Sequence, residues 1–145
     1  MKKPNNYENT AAYGSFEPLE LGGHVCKVCK VVESVSRTGK DMVDIWLDIA
    51  EGPQKDYYLK QWKADTREGK KWPCIVYQLV EDSDGNTSRG YKTFLESVKK
   101  SNPGFVEDRV WEDTGCEYLK GKLVGGVFGV IGFLIHYVIG AVLHL

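Results

Sequence analysis

The segment DMVDIWLDIA, residues 41–50, sends Val43, Ile45, Leu47 and Ile49 one way and Met42, Asp44, Trp46 and Asp48 the other. Successive side chains of an extended chain alternate between two faces, so this pattern specifies a strand with one aliphatic face in a core. A lone strand or hairpin is barely stable in water. The rest of the chain must therefore supply sheet partners and something to cover that face.

Candidates flank it. Gly22-Gly23 breaks the chain, and HVCKVCKVVESVS reads as a Val-rich strand that ends at the turn Ser36-Arg37-Thr38-Gly39-Lys40. Glu51-Gly52-Pro53-Gln54 supplies turn chemistry, and DYYLKQWK reads as a returning strand. A charged loop follows, then WPCIVYQLV, a short strand or an apolar bridge, and the acidic loop EDSDGNTS. Thr87 or Ser88 caps a predicted helix over GYKTFLESVKK, where Tyr91, Phe94, Leu95 and Val98 fall at i, i+3, i+4 and i+7. Asn102-Pro103-Gly104 ends it. After a loop containing Trp111, residues 118–128 read as another strand, weakened by Gly125 and Gly126. Strands, one helix and a further strand predict a mainly β domain with one helix. An OB-like Greek-key barrel with the helix over one end fits, complete or short of its closing strand. Residues 1–15 read as a flexible polar lead-in and 16–129 as the domain.

Lys plus Arg number 19 against 20 Asp plus Glu, a net charge of −1, so any attraction for a polyanion has to come from a local patch. The two lysines at the start are not followed by an apolar run, unlike a secretory signal. Four cysteines without an export signal suggest free thiols in a reducing, cytoplasmic setting. Cys26 and Cys29 have CxxC spacing, but lie inside a β-branched strand and not on the tight turn a zinc knuckle needs; they are read as structural, with no metal. Asp44 with Asp48, and Glu81 with Asp82 and Asp84, lack the spacing of a metal or acid–base site. Nothing assembles a nucleophile, a base and an oxyanion site, so neither an enzyme nor a cofactor is expected.

More informative is DYYLKQWKADTREGKKW, residues 56–72, where cations alternate with aromatic rings. In an extended strand Tyr58, Lys60 and Trp62 share a face, with Trp46 on or beside it if residues 51–54 make a simple hairpin. Single-stranded nucleic acid is held by such a set, rings for bases and ammonium groups for phosphates. The candidate nucleic-acid-binding residues are Trp46, Tyr58, Lys60, Trp62, Lys63, Arg67, Lys70 and Lys71. Against this, the rings would simply cover a sheet face while the lysines snorkel to water, and Asp44 and Asp48 would repel phosphate. On the residues alone both readings stand.

GGHVCKVCKVVES, DIAEG, YY, KSNPGF and GKLVGGVFG together resemble a family of small phage and prophage proteins encoded among replication and recombination functions. The resemblance covers about residues 16–129. It implies an OB-like, non-enzymatic single-stranded-DNA-binding protein in the cytoplasm of a bacterial host. Its motifs are mostly turns and strand starts, and it carries over no catalytic residue. The chain departs from the family at about Val130, where members continue with a polar, charged hairpin.

From Leu123 to Leu145 no Asp, Glu, Lys or Arg occurs. As a helix these residues span about 34 Å, enough for a bilayer core. Gly125, Gly129, Gly132 and Gly140, with His136 and His144, would form a small or polar stripe suited to self-association. Residues 123–145 are therefore expected to form a membrane helix that overlaps the last strand. Two alternatives are a terminus from another reading frame and a core strand, since Ile131, Phe133, Ile135, Tyr137 and Ile139 also alternate. With the helix, a second function becomes available, a tail-anchored membrane adaptor whose β-domain binds protein.

Overall fold

The computed structural model describes residues 1–5, 7–8, 18–129 and 134–138. Its strands are β1 (Gly22–Val35), β2 (Asp41–Ile49), β3 (Ile75–Leu79), β4 (Leu123–Phe128) and β5 (Leu134–Val138). The helices are α1 (Tyr57–Ala64), α2 (Arg89–Ser101) and α3 (Gly115–Leu119), with a 3₁₀ turn at Glu107–Trp111. All strand pairs are antiparallel, in the order β3-β2-β1-β4-β5, and the sheet curls into a half-barrel.

β1 makes the curl. Its first half, Gly22 to Lys27, pairs with β4, while Cys26 to Val35 pairs with β2. A bulge between Val28 and Lys30 leaves Cys29 unpaired against β2, and a bulge bends and twists its strand. Past the bulge the chain after α3 continues the cover: Gly121 N–H donates to the Val28 carbonyl at 2.7 Å, and Val28 N–H to the Lys122 carbonyl at 2.8 Å.

The expected inward face of β2 is buried: Val43, Ile45, Leu47 and Ile49. Opposite it α2 presents Tyr91, Phe94, Leu95 and Val98, all buried, at the spacing read from the sequence. Ser88 caps this helix, its Oγ accepting from Tyr91 N–H at 3.1 Å. The C-terminal end is fixed to β4. Asn102 Nδ2 donates to the carbonyls of Val98 and Leu123, and Leu123 N–H donates back to Asn102 Oδ1.

Two expectations fail. DYYLKQWK is not a returning strand. Tyr57–Ala64 is a helix, and the strand beside β2 on that side is β3. YYLKQWKA holds no β-branched residue, and Leu, Lys, Gln and Ala are good helix formers. The cap is Asp48. Its Oδ1 accepts from Tyr58 N–H at 2.9 Å and its Oδ2 from Leu59 N–H at 3.1 Å, while Oδ1 also takes Ile49 N–H at 2.8 Å. Instead of projecting outward with Asp44, Asp48 is only 1 % exposed, buried under α1. Burial pushes its carboxyl above the ordinary range, against the pull of those three N–H donors.

The second failure is the apolar end. Leu123–Phe128 and Leu134–Val138 are strands, so no single helix runs through residues 123–145. Among the described residues no helix is long and apolar enough to cross a membrane. Gly125 pairs with Val25 and with Val138, not with a helix one turn away, so the association stripe with Gly129 is not formed; Gly132 and Gly140 lie outside the described residues. A Cβ on Gly126 would stand 2.5 Å from Leu134 Cδ1, so this glycine admits the β5 side chain. Tyr137 is buried against Phe94, with ring centroids 5.1 Å apart. Ile131, Phe133 and Ile139 of the alternating core-strand reading lie outside the described residues, as do residues 9–15 of the lead-in.

Two outcomes follow. Asp48→Ala is expected to lower stability by about 2–3 kcal/mol, since two helix-start donors lose their acceptor. A raised native pKa also means that the carboxyl's contribution is full below the usual Asp value and falls as pH rises through the native one. Stability of the wild type relative to Asp48→Asn should therefore decline from about pH 4 upward, as measured by denaturant titration. A chain ending at Gly129 lacks Leu134 and Tyr137. It should melt lower and aggregate more than the full chain, whereas a membrane tail would give the reverse.

Candidate nucleic-acid interface

The outer face of β1, β2 and β3 is a small grid set by register. Lys30, Trp46 and Ile75 form one row, Val32, Asp44 and Tyr77 the next, and Ser34, Met42 and Leu79 the third. Tyr77 is 60 % exposed, an unusually open ring for a strand side chain. The turn carrying Arg37 and Lys40 borders the third row; Lys40 N–H donates to Ser36 Oγ at 3.0 Å, and Gly39 adopts φ +83°.

At the other end the rings extend beyond the sheet. Trp72 stacks on Trp46, with centroids 6.1 Å apart and planes 12° from parallel, and Trp62 leans on Trp72 at 6.0 Å and 44°. Trp72 Nε1–H donates to the Leu47 carbonyl at 2.8 Å, which fixes the middle ring to β2. A cation covers each end of this rank. Lys30 Nζ lies 4.9 Å from the Trp46 centroid and Lys70 Nζ 4.3 Å from that of Trp62. Lys70 also donates to the carbonyls of Trp62 and Asp65 at 2.8 and 3.1 Å, so it closes the C-terminal end of α1.

Of the residues expected to bind, Trp46, Trp62 and Lys70 are therefore brought together, through α1 and Trp72 and not through a shared strand face. Lys60 and Lys63 are exposed on α1, and Lys71 is exposed beside Trp72. Tyr58 belongs to the core. It is 4 % exposed and hydrogen-bonded to Cys74, and burial pushes its phenol up. Arg67 is turned to Asp65: Nε and Nη2 reach its carboxylate at 3.0 and 2.8 Å and hold that carboxyl down, at about 2. Lys30, Trp72 and Tyr77, which the structure adds to this face, were not among the expected residues. Only a register between strands reveals that Lys30 faces Trp46 and Tyr77 faces Asp44. Trp72 lay within the aromatic run, but its contact with Trp46 requires α1 to be a helix.

Cys26 and Cys74 are inward and Cys29 lies at the bulge. Cys26 is fully buried, and desolvation pushes its thiol far up, Cys74 to about 12 and Cys29 to about 11. Such thiols stay protonated at neutral pH and are poor nucleophiles. Among the described residues no group of three or more His, Cys, Asp or Glu side chains is arranged to hold a metal ion. Neither a protein-family model nor a curated protein matches the chain.

Trp72 is the keystone of the rank. Trp72→Ala is expected to cost about 2–4 kcal/mol by removing a half-buried ring and leaving a strand carbonyl unpaired. Trp62→Ala, at the outer end, should cost less than about 1 kcal/mol. Thermal melts of the two variants measure the difference.

Proposed function

We propose that the chain is a non-enzymatic single-stranded-DNA-binding protein with an OB-like barrel, serving replication or recombination of a phage or a related mobile element. The strand order supports the barrel. One further pairing, β3 with β5, would close the five strands into a ring, and α2, which follows β3 and precedes β4, contacts both of these strands. OB barrels carry oligonucleotides on the face of their second and third strands and on the loop joining the first two. That is the face bearing Trp46 and Tyr77, bordered by the turn with Arg37 and Lys40. The phage context rests on the resemblance of GGHVCKVCKVVES, KSNPGF and GKLVGGVFG, which fall in β1, at the end of α2 and in β4, all structural positions.

One observation carries the reading, the three-tryptophan rank with a lysine over each end. A cation–π contact at an exposed site contributes about 0.5–1 kcal/mol. A base stacked on the same ring contributes about 1–3 kcal/mol. A base that takes the place of Lys30 over Trp46 therefore gains on the exchange, whereas at Trp62 the exchange also gives up the hydrogen bonds from Lys70 to the Trp62 and Asp65 carbonyls. The displaced ammonium remains tethered beside the base, where the phosphate lies. Ring and cation thus serve the free protein as mutual cover and the complex as two separate contacts. Tyr77 adds a ring that needs no displacement.

Intrinsic tryptophan fluorescence should be quenched by a mixed-sequence single-stranded 30-mer, and much less by its duplex. Three to six phosphate contacts among Lys30, Arg37, Lys40, Lys63, Lys70 and Lys71 give a slope of log K against log salt of about −2 to −4. Trp62→Ala should weaken binding about ten-fold with little change in melting temperature, as loss of one stacking ring requires. If the rings serve only as cover, Trp62→Ala lowers the melting temperature and leaves affinity untouched. That result, or no binding at low salt, would overturn the proposal.

A further inference from the structure

Asp44 is out of place on a face for a polyanion. With Asp48 buried under α1, it is the one carboxylate in the three described rows of the grid. It stands in the central row, directly opposite Tyr77 on β3 and diagonal to Trp46's partner Ile75. Among the described residues no cation pairs with it; its hydrogen bond comes from Ser34 Oγ, which donates to Oδ1 at 2.7 Å. That bond orients the carboxylate, and Oδ2 has no hydrogen-bond partner among the described residues. A negative group so placed costs affinity for every phosphate nearby, unless a donor on the ligand meets it.

Resting on the single-strand reading, we propose that Asp44 is a specificity residue, which accepts a hydrogen bond from the exocyclic amine of a base stacked on Tyr77. Residues opposite each other in an antiparallel pair have Cβ atoms about 4.5–5.5 Å apart. A base lying on the Tyr77 ring therefore brings its edge over the carboxylate. Cytosine presents its N4 amine there, and Asp is a natural acceptor for it; thymine presents the O4 carbonyl at the same place, acceptor against acceptor. The two pyrimidines are nearly equal in ring size, so stacking does not distinguish them. The edge does.

The test is a pair of labelled 12-mers, oligo-dC and oligo-dT, titrated by fluorescence anisotropy at pH 7.5 and fixed salt. Wild-type protein should bind oligo-dC about ten-fold or more tighter, the ratio one hydrogen bond to a charged acceptor produces. Asp44→Ala should bring the two affinities together, lowering that for oligo-dC and raising that for oligo-dT as the repulsion disappears. Ser34→Ala, which removes only the orienting bond, should shrink the ratio and keep its sign. Melting temperatures of both variants, expected near wild type for an outward-facing strand position, establish that they fold. Equal affinity of wild-type protein for the two oligomers would overturn the role of Asp44 and leave the single-strand function standing. Binding to neither would overturn that function and this inference with it. A preference for oligo-dC that persists in Asp44→Ala would assign the discrimination elsewhere and also refute the proposal.

Discussion

The carboxylate of Asp48 decides what residues 57–64 become, and the candidate interface depends on that outcome. A nascent helix leaves its first N–H groups without partners. Asp48, at the end of β2, receives those of Tyr58 and Leu59 while also holding Ile49 N–H. The helix is thereby tied to the strand at its first turn. Tyr58 then points into the core against Cys74, and Trp62, one turn later, reaches Trp72. A strand through the same residues would put Tyr58 and Trp62 on one face and give no reason for Trp72 to stand between Trp46 and Trp62. Burying a carboxylate is costly, and its raised pKa is the sign of that cost. The three N–H donors offset part of it.

The bend in β1 is the second constraint, and it works with the first. One strand of 14 residues serves two partners because the bulge at Cys29 re-aims its second half. After the bulge Lys30 faces outward opposite Trp46, where its ammonium reaches the indole. Without the extra residue the face of every later β1 side chain would be exchanged, and Val31, now buried beside Ile45, would face water. The bulge that curls the sheet thus also places one of the two cations bounding the aromatic rank.

What the sequence made legible was what local pattern determines alone. The alternation of β2, the aliphatic stripe of α2 with its Ser88 cap and the Val-rich run of β1 all appear where they were expected. In each, period, capping residue and flanking turn agree. YYLKQWKA carried conflicting signals, aromatic residues after a hairpin-like turn but no β-branched residue, and the deciding group, Asp48, lies nine residues before its first helical residue. The apolar end carried two periods at once. Glycines every three or four residues suggested a helix, while Leu134 to Val138 form a strand whose Tyr137 fits against Phe94. The preference for β4 comes from pairing with β1, about 100 residues earlier in the chain, which no local window contains, and β5 follows by pairing with β4. The candidate interface was legible as composition, rings among lysines in residues 56–72, but not as geometry. Lys30 and Tyr77 enter it only through register.

On the proposed single-strand function, that composition and geometry account for how a chain of net charge −1 would present a face for a polyanion. Long-range attraction from the whole molecule is negligible, so the encounter has to be stabilised at short range. Lysines free in solvent would supply charge, yet each would lose side-chain entropy on meeting a phosphate. Lys30 and Lys70 have already lost part of it, because the indoles of Trp46 and Trp62 hold their ammonium groups within 5 Å of the ring centres. In the proposed complex, a short movement from ring to phosphate, as a base takes the ring, would exchange one restrained state for another. A near-neutral protein with pre-held cations is weakly attracted to nucleic acid at a distance and selective for strands whose bases are free to stack. Duplex DNA offers the same phosphates without the bases, and in the proposed mode that would leave the lysines no reason to move.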